Sequence, residues 1–172
     1  MRTEIRSMIG HTEPISEHEI GFTVEYCKAF ATSHWQHTHM PFRGADVEDH
    51  ETVEALSDTN FRTAFQIQYI FQLGLWRMVA VLDAILGQWF PQFARKRLQS
   101  RLDAVAEMAE VPAGDLADLK DWIRLRNAFS HSPADAPGLE HQLTRRDLEE
   151  LAALIRQVLI RLKPFASKAG VA

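Results

Sequence analysis

The chain has 172 residues, 46% of them apolar and 24% charged, with a formal net charge of −4. That length fits one domain, by the guide of about 100–200 residues each, and the balance excludes intrinsic disorder and collagen-like repeats. Eight glycines and seven prolines are too few for a turn-rich all-β fold, and the single cysteine, Cys27, can form neither an internal disulfide nor a thiolate metal site. Reducing, cytoplasmic surroundings are therefore expected. The opening run to Gly10 holds no apolar stretch of the kind a signal peptide needs, so none is expected.

The pattern is helical along most of the chain. Ser16 followed by Glu19 is a capping-box signature. After it, Ile20, Val24, Cys27 and Ala31 recur every three or four residues, which is one face of a helix. Between His37 and Asp58 the periodicity fades. Pro41, Gly44 and the acidic run 46–51 read as a loop, with room for a short helix at Val53–Leu56. Thr59–Phe90 is the most apolar segment, and Phe61, Phe65, Ile70, Leu73, Trp76, Val79, Leu82 and Leu86 cover more than one of its faces, as in a central core helix. Arg77 and Asp83 in mid-segment would be costly in lipid, so a buried helix is expected and no membrane.

Pro91 opens a helix over Gln92–Glu110, which Pro112 and Gly114 end. Asp115 caps the next, running through Leu116, Leu119, Trp122 and Ile123 to His131. Ser132 to Gly138 reads as a loop. Thr144 caps the last helix, whose stripe of Leu148, Leu151, Leu154, Ile155, Val158, Leu159 and Leu162 is closed by Pro164. The ends, 1–15 and 165–172, are expected to fray. The sum is one all-α domain over 1–172, a bundle of about five helices. Trp76, Val79, Trp122, Ile123, Leu154 and Val158 should be buried, as facing stripes of three of them.

Charge is unevenly spread. Residues 1–90 hold six basic and twelve acidic side chains, and residues 91–172 hold thirteen basic and eleven acidic. A polyanion would meet the second half, through clusters such as Arg95-Lys96-Arg97 and Arg145-Arg146, although each cluster alone reads as a solvated helix face. A phosphate-binding Gly-rich loop, a dinucleotide fingerprint, His-Glu-x-x-His and a nucleophile elbow are all missing from the sequence. His34, His37 and His39 invite a metal, but no further ligand accompanies them, and a surface histidine cluster is the preferred reading.

The segment Asp121-Trp-Ile-Arg-Leu-Arg-Asn-Ala-Phe-Ser-His131 carries more. Arg126 brings a permanently charged planar fork that matches phosphate oxygens, and His131 brings a ring that titrates near neutral pH. Together they suffice to move a ribose 2′-OH proton and stabilise charge on the adjacent phosphoryl group, with neither metal nor cofactor. On an ideal helix Arg126 and His131 lie about 140° apart, whereas Asn127 and Arg124 share the face of His131. Either the helix distorts near Ser130, or Arg126 reaches around, or Arg124 shares the work. One histidine supplies a base for the nucleophile but no acid for the leaving group, and a two-fold dimer would supply both. On residue chemistry alone, a histidine on a helix dipole and an arginine bridging to Asp121 or another helix is the simpler account.

Arg126-Asn127-Ala-Phe-Ser-His131 resembles the Arg-Asn-x-x-x-His signature of the HEPN superfamily, the higher eukaryote and prokaryote nucleotide-binding domains. The setting is similar too: an apolar helix, a loop, then a final amphipathic helix. The resemblance implies a metal-independent endoribonuclease, active as a homodimer with its site between subunits, and a toxin or phage-defence effector with an antitoxin or defence-complex partner. By position, it implies that Arg126 holds the scissile phosphate, Asn127 orients the phosphate or the histidine, His131 transfers protons, and Arg124 and Ser130 contact the RNA. Where members linked to nucleotidyltransferases often carry a modifiable tyrosine, two residues after the histidine, this chain has Pro133. A non-catalytic helical module of the same shape, binding a partner protein or nucleotide, is the alternative.

Overall fold

The structure, a computed structural model, describes residues 15–46, 48–131 and 142–169, apart from the side chains of His131 and 167–169. Five α-helices follow one another: α1 (His18–His39), α2 (His50–Trp89), α3 (Leu98–Ala109), α4 (Ala113–His131) and α5 (Arg145–Ala169). Short 3-10 turns lie at Met40–Phe42 and Pro91–Phe93, and no strand occurs among the described residues. The all-α bundle expected from periodicity is what forms.

Helices α1 and α2 lie antiparallel. Glu19 meets Arg77 at one end of the pair, Cys27 lies against the Ile70 carbonyl in the middle, and His39 meets Asn60 at the other end. The stripe Ile20, Val24, Cys27 and Ala31 is buried, as its spacing required. Gly74 permits the close approach of three helices at this level. A Cβ there would come within 2.8 Å of both Cys27 Sγ on α1 and Leu148 Cδ1 on α5. Burial accordingly pushes the Cys27 thiol pKa up. Helix α5 lies in the middle, touching all four others. Its entry is tied to α2 by a side-chain amide. Gln68 Nε2 donates to the Leu143 carbonyl at 2.9 Å, and Gln68 Oε1 accepts from the Leu143 N–H at 2.8 Å.

Several boundaries differ from those the sequence suggests, each for a local reason. The central helix has 40 residues, and its first turn lies inside the stretch expected to be a loop. Asp49 starts it: its carboxylate accepts from the Thr52 N–H at 3.0 Å and the Thr52 hydroxyl at 2.6 Å. Ser16–Glu19 forms no capping box, because Glu19 turns to Arg77 instead. Asp115 is not a cap either. It lies within the first turn of α4 and accepts from Gln157 of α5 at 2.7 Å. Thr144 does cap α5: its hydroxyl accepts from the Asp147 N–H, while the Asp147 carboxylate accepts from the Thr144 N–H at 2.6 Å. Pro164 lies inside α5 rather than closing it.

The largest departure is at the helix expected over Gln92–Glu110. It begins only at Leu98 and ends at Ala109, where Glu110 takes a left-handed φ of 49°. The cause of the late start is Arg101, 6% exposed. Its guanidinium donates from Nη1 to the Asp83 carbonyl at 2.8 Å and to the Asp83 carboxylate at 2.9 Å. It also donates to the carbonyls of Phe93, Ala94 and Lys96 at 3.2, 2.7 and 3.1 Å. Residues 93–97 therefore wrap around a buried cation instead of continuing as helix.

Of the six side chains expected in the core, Val79, Ile123 and Val158 are buried, while Trp122 and Leu154 are half-buried. Trp76 is corrected outright: it is 39% exposed. Helix α2 presents an outward stripe there, flanked by α1 and α4, and three packed faces leave no room for a fourth. This helix is long and apolar enough to cross a membrane, and 56% of its most apolar window is buried inside the bundle.

Two outcomes follow. Arg101→Met leaves four carbonyls and a carboxylate without their donor, at a cost of about 3–5 kcal/mol. The unfolding midpoint is expected to drop by about 10 °C for a chain of this size, read by thermal circular dichroism. At the start of α2, the hydroxyl and then the N–H of Thr52 hold the Asp49 carboxyl below its ordinary pKa. The cap therefore contributes stability above that ordinary value and loses it as pH falls through the depressed one. Asp49→Ala should lower the midpoint at neutral pH and flatten its acid dependence, as a pH series of melts would show.

Candidate functional site

The expected site residues lie on the last three turns of α4. Leu119 and Ile123 anchor this helix in the core, and Arg126 follows Ile123 by one turn on the same side. Arg126 and Asn127 consequently border a groove of about 420 Å³. Its other walls are Val79, Ala80 and Asp83 of α2 and Arg97 and Gln99 at the start of α3.

The Arg126 side chain is folded back along its own helix. Its Nη1 donates to Asn127 Oδ1 at 2.9 Å, although adjacent helical residues ordinarily diverge. The Arg126 Cζ lies 6.0 Å from the centre of the Trp76 ring, at the range of a cation–π contact. Its Nε is buried and has no acceptor among the described residues. A guanidinium lining a groove can take an anion through charge-assisted hydrogen bonds. The charge around it agrees. Asp83 is neutralised by Arg101 at 2.9 Å, and Arg97 and Arg126 have no carboxylate partner among the described residues. The groove therefore carries a surplus of positive charge.

Arg124 lies elsewhere. It is paired with Asp121 at 2.6 Å and lines a different groove, shared with Asp118, Asp121 and Glu150. Carboxylates there oppose a phosphate. Two residues along a helix is about 200°, and the structure separates the two arginines accordingly. Of the candidates left open by the sequence, Arg126 has the setting a phosphate needs and Arg124 does not.

The Ser130 hydroxyl donates to the Arg126 carbonyl at 2.9 Å, the back-bonding common for serine within a helix. Its proton is thus held by its own helix. Helix α4 runs without a break to His131, so no distortion near Ser130 rotates the chain. His131 is the last residue of that helix. Its side chain and Pro133 both lie outside the described residues.

Two of the three clustered histidines bond from α1 to α2. His34 Nε2 meets Gln66 Oε1 at 2.7 Å, and His39 Nε2 meets Asn60 Oδ1 at 2.6 Å. The His39 ring also stacks on Trp35, with centroids 3.9 Å apart. Among the described residues no three potential metal ligands cluster.

Sequence reasoning placed Trp76 in the core and so missed it beside Arg126, and it named Arg97 only within a basic cluster that a polyanion would meet. The Arg95-Lys96-Arg97 cluster was a visible signal of positive charge, but nothing in it pointed to Arg126. Trp76 carried no signal distinguishing it from a core residue. Compared with family models, curated proteins and solved structures, the chain finds no match.

The positive charge of the groove predicts anion binding. Inorganic phosphate is expected to raise the unfolding midpoint of the wild-type chain but not of Arg126→Met. Equal shifts in both, read by differential scanning fluorimetry, would place the anion elsewhere.

Proposed function

We propose that the chain is a metal-independent endoribonuclease of HEPN type, acting as a toxin or phage-defence effector. The observation that carries this reading is the Arg126–Asn127 corner. It offers a half-buried guanidinium whose Nε lacks an acceptor, bordering a positively charged groove, five residues before a histidine that ends the helix. The resemblance of 126–131 to the HEPN motif supports the same assignment.

In this mechanism the RNA phosphate lies in the groove against Arg126, beside Arg97. The His131 imidazole takes the proton of the ribose 2′-OH. The 2′-oxygen forms a bond to phosphorus, and the bond from phosphorus to the 5′-oxygen breaks. The guanidinium stabilises charge that builds on the non-bridging oxygens. The leaving 5′-oxygen takes a proton from the histidine of a second copy, and the products are a 2′,3′-cyclic phosphate and a 5′-hydroxyl. DNA lacks the nucleophile and is spared.

A second reading has its own support. The aromatic side chains exposed along α1 and α2 favour a non-catalytic helical module that binds a partner protein.

The test is purified protein incubated with structured and unstructured RNAs in excess chelator. Cleavage leaving cyclic phosphate ends is expected. Arg126→Ala and His131→Ala should each lower the rate by at least about 100-fold, the usual scale of such groups, without moving the unfolding midpoint. A folded protein that cuts none of these RNAs sinks the enzyme reading and supports the module. Activity that chelator abolishes also sinks it.

A further inference from the structure

The exposed aromatic side chains of α2 differ in what lies beside them. Phe65 and Tyr69 lie in a run, 63–76, that holds no Asp, Glu, Lys, Arg or His. The cations that flank this run are already paired, Arg62 with Asp58 at 3.1 Å and Arg77 with Glu19 at 2.9 Å. Trp76, at the end of the run, is the exception. Among the described residues it is the one aromatic of α1 and α2 with a guanidinium at cation–π range, that of Arg126 at 6.0 Å. At about 250 Å² for a tryptophan, its 39% exposure leaves on the order of 100 Å² of indole bare. Ala80, one turn further along α2, is already a wall of the Arg126 groove. Indole and groove thus follow one another along one ridge of α2, separated there by a methyl group.

The geometry points to Trp76 as the platform on which a nucleobase of the bound strand stacks while Arg126 holds the neighbouring phosphate. The inference rests on the RNA reading of the groove and adds to it a residue that selects for the base rather than for charge. Two observations carry it. On Arg126, Nε is buried and Nη1 donates to Asn127, which leaves Nη2 as the unengaged donor among the described residues. A phosphate bound there carries a flat ring one sugar away, and the bare aromatic surface beside that guanidinium is the indole. The second observation is Arg97 on the groove wall, which supplies charge for a further phosphate and so favours a strand over a lone phosphomonoester. Stacking on an aromatic side chain is how proteins commonly hold a base that is out of its own stack. Phe65 and Tyr69 offer rings but no free cation to hold the adjoining phosphate.

The test uses the full chain and two probes. One is 2′-O-methyl pentaadenylate, which lacks the 2′-OH nucleophile and is not cut. The other is an abasic 2′-O-methyl strand of the same length and charge. Binding is read by fluorescence anisotropy at low salt. The wild type is expected to bind the adenylate strand about tenfold more tightly than the abasic one. Trp76→Leu should lose that preference and keep the wild-type affinity for the abasic strand. Trp76→Phe should retain part of the preference, and Tyr69→Leu all of it. Arg126→Met should weaken both strands. If Trp76→Leu fails to fold, Trp76→Gln takes its place. A wild type that binds the two strands equally, or neither, overturns the inference. So does a folded Trp76→Leu that keeps the full preference or weakens both strands alike. RNA cleavage without any preference for the base overturns the platform alone. A preference that depends on Trp76, in a chain that cuts no RNA, overturns the enzyme reading alone.

Discussion

One buried cation organises the half of the molecule that carries the site. Arg101 is nearly sealed from solvent and donates to Asp83 and to the carbonyls of Phe93, Ala94 and Lys96. Its charge is tolerable in the interior because every direction of the guanidinium fork meets an oxygen. The arrangement does three things together. It turns the chain sharply after α2, it stops α3 from starting early, and it cancels the charge of Asp83. Arg97 thereby comes to the rim of the groove beside Arg126, and the nearest carboxylate no longer competes for that arginine.

Helix α2 links this region to the rest. Its inner faces pack on α1, α4 and α5, and Gly74 lets α1 and α5 come close. The face left over is the aromatic stripe that runs past Trp76 to Arg126. One helix thus forms the floor of the core, a wall of the groove and the centre of the uncovered surface. A guanidinium over an indole ring joins the last two. The Arg126 groove and the uncovered α1–α2 face are neighbours in space for that reason.

The segments that proved legible in the sequence were those in which local signal and packing agree. Thr144 with Asp147 caps α5, and Leu148 to Leu162 bury, because the helical period places them on one face. Ile20 to Ala31 on α1 behaved likewise. Capping motifs failed where a tertiary partner outbid the local one: Glu19 was drawn to Arg77, and Asp115 to Gln157. The start of α2 was obscured because residues 50–58 are mostly polar, with Val53, Ala55 and Leu56 too few to show a long helical period, although Asp49 caps it at Thr52. In the site, Arg126 and Asn127 were visible as residue types at a telling spacing. The choice between Arg124 and Arg126 was not visible, since it depends on the acids brought alongside each one.

The sequence by itself determined that the chain is all-helical, which stripe of each helix is apolar, and that the strongest candidate chemistry lies between residues 121 and 131. Such properties follow from the helical repeat and from side-chain identity, both local. Only the tertiary structure decided which arginine borders the positively charged groove, that Trp76 faces outward beside it, and that Arg101 shapes the turn. Each of these depends on residues far apart in the chain, and a helix with apolar residues on several sides carries no mark of which side its neighbours will leave bare.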